Sequence, residues 1–430
     1  MSQRIVFVTW GSLGDLHPYL ALGVELRRRG HLVRVATLGQ WRENVERAGL
    51  EFAPIRPDVP EGEPEARELI RRVLDVRRGP EYLFKEVFAP HMRETFDDTR
   101  AAVEGADLLV SHQVPVTGPI VAEMTRIRWV SCMLLPMAFL SAYDPPTPPQ
   151  APFLRRIAAL HPSIARALLG LARLEMERWV KPAYRLREEL GLTRGANPLL
   201  GAQHSPERVL GLFSSVFARK QPDFPPQTIV TGFPFYDAAD AAAPDPDLVR
   251  FLDPVHSAGD DPIVFTLGSS AVWIAEDFFE TSIAVARKLG RRALLLAGDA
   301  APALRERVPP SIGVFDYAPH SLVMPRASVI VHQGGVGTTG QALRAGRPML
   351  VVPYGQDQPD NARRCVELGI ARTIPRHRFN PHRLERELSV LLSDPAFASR
   401  AAAVGARVAA ERGTETACDA IESVLRSPDP

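Results

Sequence analysis

The stretch ASVIVHQGGVGTTGQALRAGRPMLVVPYGQDQPDNARRCVELGIA, residues 327–371, decides the fold class. A strand pattern ends at His332, a glycine loop follows, and helical spacing begins after it. Glycines let a backbone approach a ligand closely, and a helix N-terminus attracts anions. The stretch therefore predicts a phosphate site on an α/β unit, although it has neither the GKS/T of a Walker loop nor GxGxxG spacing.

Strand and helix patterns alternate on both sides of this stretch, which predicts parallel sheets with helices on both faces. A segment rich in Pro, Ala and Asp at 222–250 interrupts the alternation and is typical of a linker. The sequence therefore predicts two Rossmann-like α/β domains that face each other across a cleft. The strand patterns are RIVFVTW, HLVRVAT, LEFAPI, ADLLVS and RIRWVSCML in the first half, and PIVFTLGSS, RRALLLAG, IGVFDYA, ASVIVHQ and PMLVVPY in the second.

Composition excludes several classes of protein. The formal net charge of +1 gives no reason to expect a nucleic-acid partner. The cysteines Cys132, Cys365 and Cys418 fit neither a zinc site nor a disulfide framework. No signal-peptide pattern and no apolar run of spanning length occur, so we expect a cytoplasmic location.

The segment 151–187 is helical and basic, with eight Lys or Arg against two Glu, a net charge of +6. One interpretation is a helical insert whose apolar side packs on the first domain while its basic side is solvated. The other is a surface that contacts anionic lipid at the inner membrane or helps to shape an acceptor pocket.

A second candidate site is TWGSLGDLHPYLALG, residues 9–23, where a strand turns into a helix. Asp15 and His17 lie at this turn, and either could act as a base or serve the helix cap. Pro18 is well tolerated in a first helical turn, so we expect the helix to begin near 16–18. Asp15 and His17 are two residues apart, which corresponds to a rotation of about 200° around a helix axis. Their side chains should therefore point in different directions.

His332-Gln-Gly-Gly-Val-Gly-Thr-Thr, AGRPMLVVP and GQDQPDNA together resemble the donor signature of the UDP-glycosyltransferase family, glycosyltransferase family 1, which has the GT-B fold. The opening GSLGDLHPYLALG resembles the bacterial branch of that family, which includes sterol glucosyltransferases and the rhamnolipid rhamnosyltransferase. The resemblance implies an acceptor-binding domain over 1–230, a nucleotide-sugar-binding domain over 231–410, and a C-terminal helix over 411–430 that packs back on the first domain.

The resemblance also assigns donor contacts. His332 and the loop would contact the pyrophosphate, Ser269 a phosphate, Asp357 and Gln358 the sugar hydroxyls, and Tyr317 with Ala318 the base. The family often places a ribose-binding residue in the helix after the loop. Counting back from Pro348 puts Gln341 at that position, whereas counting forward from His332 puts Gly340 there. The loop residues are Gly334, Gly335, Gly337, Thr338 and Thr339.

Structural alternatives remain open for four of these residues. His332 could be a strand-end histidine bonded to backbone, and Tyr317 a strand-end aromatic in the core. Asp357 and Ser269 could each cap a helix.

The proline register places Asp15, rather than His17, at the family's base position. An Asp that caps a helix would have a lowered pKa and be a weaker base. His112 ends the DLLVS strand, close to where the family holds the Asp that orients its catalytic His. We therefore hypothesise an Asp15–His112 pair in which either residue acts on the acceptor; the open alternative is that His112 is a loop histidine without such a role.

The resemblance implies an inverting glycosyltransferase that uses a UDP- or dTDP-sugar and a small, apolar acceptor. We expect no cofactor and no catalytic metal, because the single Asp-x-Asp of the sequence, Asp245-Pro-Asp247, lies in the Pro- and Asp-rich linker and has no further metal-site pattern around it. The alternatives are a nucleotide-sugar 2-epimerase and a non-catalytic partner protein. The sequence does not decide between a monomer and a homodimer.

Overall fold

The structure is a computed structural model that describes residues 2–60, 63–237, 245–253 and 261–427. The predicted linker 222–250 is irregular only in part: Thr228–Val230 form a strand of the first sheet and a helix begins at Pro246, while 238–244 lies outside the described residues. The chain divides into two compact units, each with its own sheet. Unit 1 comprises Met1–Val73, Arg77–Tyr236 and Glu411–Pro430, and unit 2 comprises Leu74–Val76 and Asp237–Ala410.

Unit 1 contains a sheet in which every strand pair is parallel. Its central strands are nearly continuous apolar runs, because helices cover both faces of such a sheet. The strands are β1 (Arg4–Val8), β2 (Leu32–Thr37), β3 (Glu51–Pro54), β4 (Leu108–His112), β5 (Arg128–Met133), β6 (Arg208–Gly211) and β7 (Thr228–Val230), in the order β3-β2-β1-β4-β5-β6-β7.

The helices of unit 1 fill the connections between these strands. A π-helical turn at Leu83–Phe88 and short 3₁₀ turns complete them. The helices are α1 (Leu13–Arg28), α2 (Arg42–Arg47), α3 (Glu63–Val73), α4 (Gly79–Tyr82), α5 (Met92–Ala102), α6 (Gly118–Thr125), α7 (Leu154–Ala158), α8 (Pro162–Trp179) and α9 (Lys181–Glu189).

Unit 2 repeats the parallel design on a smaller sheet. Its strands are β8 (Ile263–Thr266), β9 (Ala293–Leu296), β10 (Ile312–Phe315), β11 (Val329–His332), β12 (Met349–Val351) and β13 (Ala371–Thr373), in the order β10-β9-β8-β11-β12-β13. Its helices are α10 (Pro246–Leu252), α11 (Gly268–Ala271), α12 (Phe278–Lys288), α13 (Ala301–Arg305), α14 (His320–Val323), α15 (Val336–Ala345), α16 (Gln358–Glu367), α17 (Pro381–Ser393) and α18 (Pro395–Ala409).

The last helix, α19 (Gly413–Arg426), returns to unit 1 and packs on α1. Arg29 pairs with Asp419 at 2.6 Å and with Glu422 at 3.1 Å, and His31 contacts Glu422 at 3.0 Å. The thiol of Cys418 is buried against the Leu22 carbonyl at 3.6 Å. These contacts hold the C-terminal helix against α1 and the turn that follows it.

The strand order of each sheet reverses direction once. In unit 1 the connections from β1 lead to β2 and β3, and those from β4 lead the other way to β5, β6 and β7. In unit 2 the same reversal lies between β8 and β11. Ligands of open parallel sheets bind at the carboxyl ends of the strands at such a reversal. The loops after β1, β4, β8 and β11 are therefore the places to look for a site.

Two helical glycines differ in their surroundings and give a test of the fold. A Cβ on Gly405 of α18 would lie 2.5 Å from the Gly346 Cα, whereas one on Gly170 of α8 would meet no atom within 4 Å. We expect Gly405→Ala to lower unfolding stability by ~1–3 kcal/mol, because backbone must move. Gly170→Ala should be neutral or stabilising by up to ~1 kcal/mol. Thermal unfolding of both variants measures this, and equal midpoints would contradict the close packing of α15 on α18.

Candidate functional site

The turn after β1 is built around a folded-back carboxylate. Asp15 Oδ2 accepts hydrogen bonds from the Ser12 N–H at 2.8 Å and from the Ser12 hydroxyl at 3.0 Å. Ser12 caps α1 and Asp15 is the third helical residue, which makes a capping box. Gly11 has a φ of +137°, and a Cβ there would lie 2.3 Å from Asp15 Oδ2. The glycine therefore leaves the space that the carboxylate occupies.

This arrangement corrects two expectations about α1. The helix begins at Leu13, not near 16–18, because Ser12 rather than Asp15 is the N-cap, and Pro18 consequently lies inside the helix. The pKa of Asp15 is not lowered: burial raises it to about 6 and outweighs the hydrogen bonds from Ser12, which lower it. Oδ1 makes no hydrogen bond with any described residue, so one oxygen of the carboxylate is left to accept a proton.

His112 ends β4, the strand next to β1, and is buried. Its Nδ1 lies 3.4 Å from the Thr9 hydroxyl, which in turn lies 3.3 Å from the Asp15 backbone oxygen. The hypothesised Asp15–His112 pair therefore forms no direct hydrogen bond within the described part of the chain, and Thr9 lies between them. Burial lowers the pKa of His112 to about 3, so its ring is neutral.

His17 lies on a different side of α1 from Asp15, as the helical spacing predicts. Its ring packs on Tyr236 with 5.5 Å between ring centroids. Burial lowers the pKa of His17 to about 4, so this ring is also neutral near pH 7. Asp15 is thus the group of the three whose pKa lies nearest neutrality.

In unit 2, His332 ends β11 and is fully buried. Its Nδ1 accepts the Gly334 N–H at 3.1 Å, so the ring proton is assigned to Nε2. Nε2 is buried and has no partner among the described residues. Burial lowers the pKa of His332 to about 3, which makes the ring a neutral N–H donor. The bond to backbone that we considered as an alternative exists, and it orients the second nitrogen.

The glycine loop leads into α15, whose N-cap is Gly335. The first hydrogen bond of this turn runs from the Thr339 N–H to the Gly335 oxygen, so the preceding helical N–H groups have no carbonyl within the helix. Gly335 and Gly337 are partly exposed, whereas Thr338 and Thr339 are buried. The loop therefore presents backbone N–H groups at its surface, and the threonine side chains point into unit 2.

Gln333 joins the two strand-end turns of unit 2 and was missed by sequence reasoning. Its amide contacts the Thr338 hydroxyl at 3.4 Å. A Cβ on Gly268 would lie 2.4 Å from Gln333 Nε2, and one on Gly335 2.9 Å from it. Ser269 lies beside Gly268 in α11, whose N-cap is Leu267, so Ser269 is not a cap. Gly268 and Gly335 are the sequence feature that could have indicated the position of the Gln333 side chain, because any larger residue there would clash with it.

The start of α16 is held to the glycine loop by Asn361, a second residue that sequence reasoning did not single out. Its side-chain amide donates to the Gly334 oxygen at 2.8 Å and to Asp357 Oδ2 at 2.6 Å. Asp357 is the N-cap residue, but its side chain makes no cap hydrogen bond. Gln358 Oε1 accepts the N–H groups of Tyr354 at 2.7 Å and of Gly355 at 3.3 Å.

The remaining predicted donor residues differ in exposure. Tyr317, after β10, is exposed rather than part of the core, and Ala318 beside it is buried. Gln341 is partly buried and its oxygen accepts from Arg344 at 2.8 Å. Arg344 also forms two 2.6 Å hydrogen bonds with Asp237. Gly340 is buried inside α15.

Within residues 2–60, 63–237, 245–253 and 261–427, no group of three or more His, Cys, Asp or Glu side chains is placed to hold a metal ion. None of the helices in these ranges has the length and apolar character needed to cross a membrane.

Two domain families match the chain. Residues 5–103 match the glycosyltransferase family 28 N-terminal domain, and residues 294–422 match the erythromycin biosynthesis protein CIII-like C-terminal domain. The first match contains Asp15 and the second contains His332 and Asp357. Both strand-order reversals therefore lie at least partly inside matched regions.

Relatives and solved structures agree with these matches. O-mycaminosyltylonolide 6-deoxyallosyltransferase of Streptomyces fradiae is 36% identical over 98% of this chain and 97% of its own length. A sterol 3-beta-glucosyltransferase of Leptosphaeria maculans is 27% identical over 99% of this chain, which spans only 29% of that protein. The glycotransferase of kitacinnamycin has a TM-score of 0.73 at 23% identity, covering 98% of this chain and 99% of that one.

The raised pKa of Asp15 predicts a pH-dependent stability difference. The folded pKa of about 6 lies above the ordinary value of 3.8, so the acid form is favoured by folding. This stabilisation is present below pH ~4 and is lost as the pH rises through about 6. We expect Asp15→Asn to gain stability relative to wild type between pH 4 and 7. Thermal midpoints measure it, with Asp299→Asn as an exposed control, and a constant difference would refute it.

The hydrogen bonds of Asn361 to the glycine loop and to Asp357 predict that its removal weakens nucleotide binding. Asn361→Ala leaves the Gly334 oxygen without its partner, which should cost ~1–3 kcal/mol of unfolding free energy. We expect the affinity for UDP or dTDP to fall about tenfold, because the loop is no longer held to α16.

Asn380→Ala is the matched control for this variant. Asn380 caps α17 in the same unit by accepting the Arg383 N–H at 3.0 Å. The Asn380→Ala substitution should lower the free energy of unfolding by ~1 kcal/mol without a change in the affinity for UDP or dTDP. Calorimetric titration compares the two, and equal affinity losses would reject the role of Asn361.

Proposed function

The chain belongs to the GT-B glycosyltransferases that resemble glycosyltransferase family 1, and on this premise we propose that it is an inverting, metal-independent enzyme acting on small natural-product acceptors. The donor is a UDP- or dTDP-sugar, and the acceptor is a hydroxyl of an apolar molecule. The observation that carries the proposal is His332, whose buried Nε2–H has no partner among the described residues and lies beside the glycine loop at the start of α15.

On the donor side, binding depends on neutral N–H groups rather than on a cationic histidine. The pKa of His332, about 3, makes its ring neutral before the ligand arrives, so it contacts the diphosphate as an N–H donor rather than as a cation. The Nε2–H and the first N–H groups of α15, which have no carbonyl partner within the helix, are suited to hold a diphosphate. As the bond from the anomeric carbon to the diphosphate oxygen breaks, the same donors stabilise the charge that develops on that oxygen.

On the acceptor side, Asp15 serves as the general base. The acceptor oxygen forms a bond to the anomeric carbon while its proton passes to Asp15. A base pKa of about 6 suits a reaction near neutral pH. Attack opposite the leaving diphosphate inverts the anomeric configuration. His112 is a positioning residue in this scheme, because it is buried and reaches Asp15 only through Thr9.

The sugar and the base are assigned to the segments after β12 and β10. Asp357, fixed by Asn361, and Gln358 hold the sugar hydroxyls, and exposed Tyr317 stacks on the pyrimidine. The side-chain oxygen of Gln341 accepts a hydrogen bond from Arg344, so Gln341 contacts the ribose through the rest of its side-chain amide. Because its relative is named a 6-deoxyallosyltransferase, a 6-deoxyhexose is a suitable first donor. The sterol glucosyltransferases widen the acceptor class to sterols.

Transfer assays test the proposal directly. The purified chain would be screened by thermal shift with UDP, dTDP and GDP, then assayed with matching sugar donors and a panel of macrolide, sterol and polyphenol alcohols. We expect an inverted glycoside by NMR, equal rates with and without EDTA, and a rate that falls as the pH drops below about 6. Asp15→Asn should reduce turnover by ~10² or more while nucleotide affinity is unchanged.

The other variants separate the roles within the site. His112→Ala should lower turnover less than Asp15→Asn does, and His17→Ala less again. Near-normal turnover by Asp15→Asn would refute the base assignment. Interconversion of the donor sugar without an acceptor would identify an epimerase, and nucleotide binding without any turnover would identify a non-catalytic partner.

A further inference from the structure

The helical insert between β5 and β6 carries the most exposed large apolar side chains of the described chain. Phe153 is 64% exposed, Leu160 74%, Leu171 65% and Leu174 68%. The next in rank, Tyr317, is 58% exposed and already has a role as the stacking platform. Single exposed apolar residues are common on soluble proteins, but a concentration in one segment marks an interaction surface.

On α8 the exposed apolar residues form a stripe. Ile164, Leu171 and Leu174 are spaced seven and three residues apart, which places them on one face of the helix. A different face buries Ala165 in a small cluster that also holds residues 142 and 158, and the partly buried Leu168 and Leu169 pack against this cluster. The helix is therefore apolar on two faces, whereas the simpler interpretation of this insert predicts an apolar side that is packed and a basic side that is solvated.

The same insert carries cations without partners. Arg156, Arg173, Lys181 and Arg185 are exposed, and none of them forms a hydrogen bond or ion pair with a residue that the structure describes. Exposed arginines without a partner among the described residues also occur elsewhere, as Arg100 of α5 and Arg407 of α18 do, so the insert differs from other surface helices in its net charge. The segment 151–187 has a net charge of +6 in a chain whose total is +1.

We propose that α7 and α8, which we call the docking helices, bind the protein peripherally to an anionic lipid surface. Leucine and phenylalanine side chains enter the boundary of the acyl chains, and the arginines pair with lipid phosphates. A second copy of this chain is a poorer occupant, because a symmetric contact would bring two strongly basic surfaces together. The inference goes beyond the proposed function and does not depend on it.

Vesicle co-sedimentation of the full chain tests the proposal. We expect binding to phosphatidylcholine vesicles that contain phosphatidylglycerol, little binding to phosphatidylcholine alone, and weakening as NaCl is raised. Arg156→Glu with Arg173→Glu should weaken binding at least about fivefold for each arginine. Leu171→Asp with Leu174→Asp should weaken it about tenfold or more for each leucine.

Val249→Asp and Arg47→Glu are the matched controls, since both residues are exposed outside the insert. They should leave binding unchanged, and thermal unfolding would verify that every variant folds. Absence of wild-type binding to either vesicle overturns the proposal, as does equal weakening by the control variants. A wild-type dimer that Leu171→Asp with Leu174→Asp converts to a monomer, without vesicle binding, would instead assign the stripe to contact between copies.

Discussion

The constraint on which the structure depends is the single reversal of strand order in each parallel sheet. Connections leaving β1 and β4 run in opposite directions, and so do those leaving β8 and β11. The loops at these strand ends separate and leave room for a ligand beside them. Asp15 and His112 lie at the carboxyl ends of one adjacent pair of strands, and Ser269 and His332 lie at those of the other. The topology therefore gathers side chains that are far apart in the sequence.

Burial determines the electrostatics of both sites more than any charge pair does. It raises the pKa of Asp15 and lowers the pKa of His112 and His332. The result is a carboxylate that is ready to accept a proton and histidines that are neutral donors or acceptors. Negative charge on a ligand is then met by oriented N–H groups, which need no reorganisation when the charge develops.

Side-chain amides provide the rigidity that such a site requires. Gln333 packs between the two glycine turns of unit 2, and Asn361 ties the glycine loop to the helix that carries Asp357. Both side chains are uncharged, so the sequence alone does not single out either residue as a candidate for a functional site. Their importance follows from the carbonyls and hydroxyls that would be left unsatisfied without them.

The sequence by itself determined the α/β class, most strands, the glycine loop and the chemical type of each candidate, because apolar periodicity and glycine punctuation are local signals. It did not find β6, β7 or β13, or helices such as α3, α4 and α5, because these segments carry no motif and have only short apolar runs. Tertiary structure alone decided that Ser12 caps α1, that Thr9 lies between Asp15 and His112, and that α8 exposes a second apolar face. Each of these depends on which atoms are removed from water, and burial is a property of the assembled fold rather than of neighbouring letters.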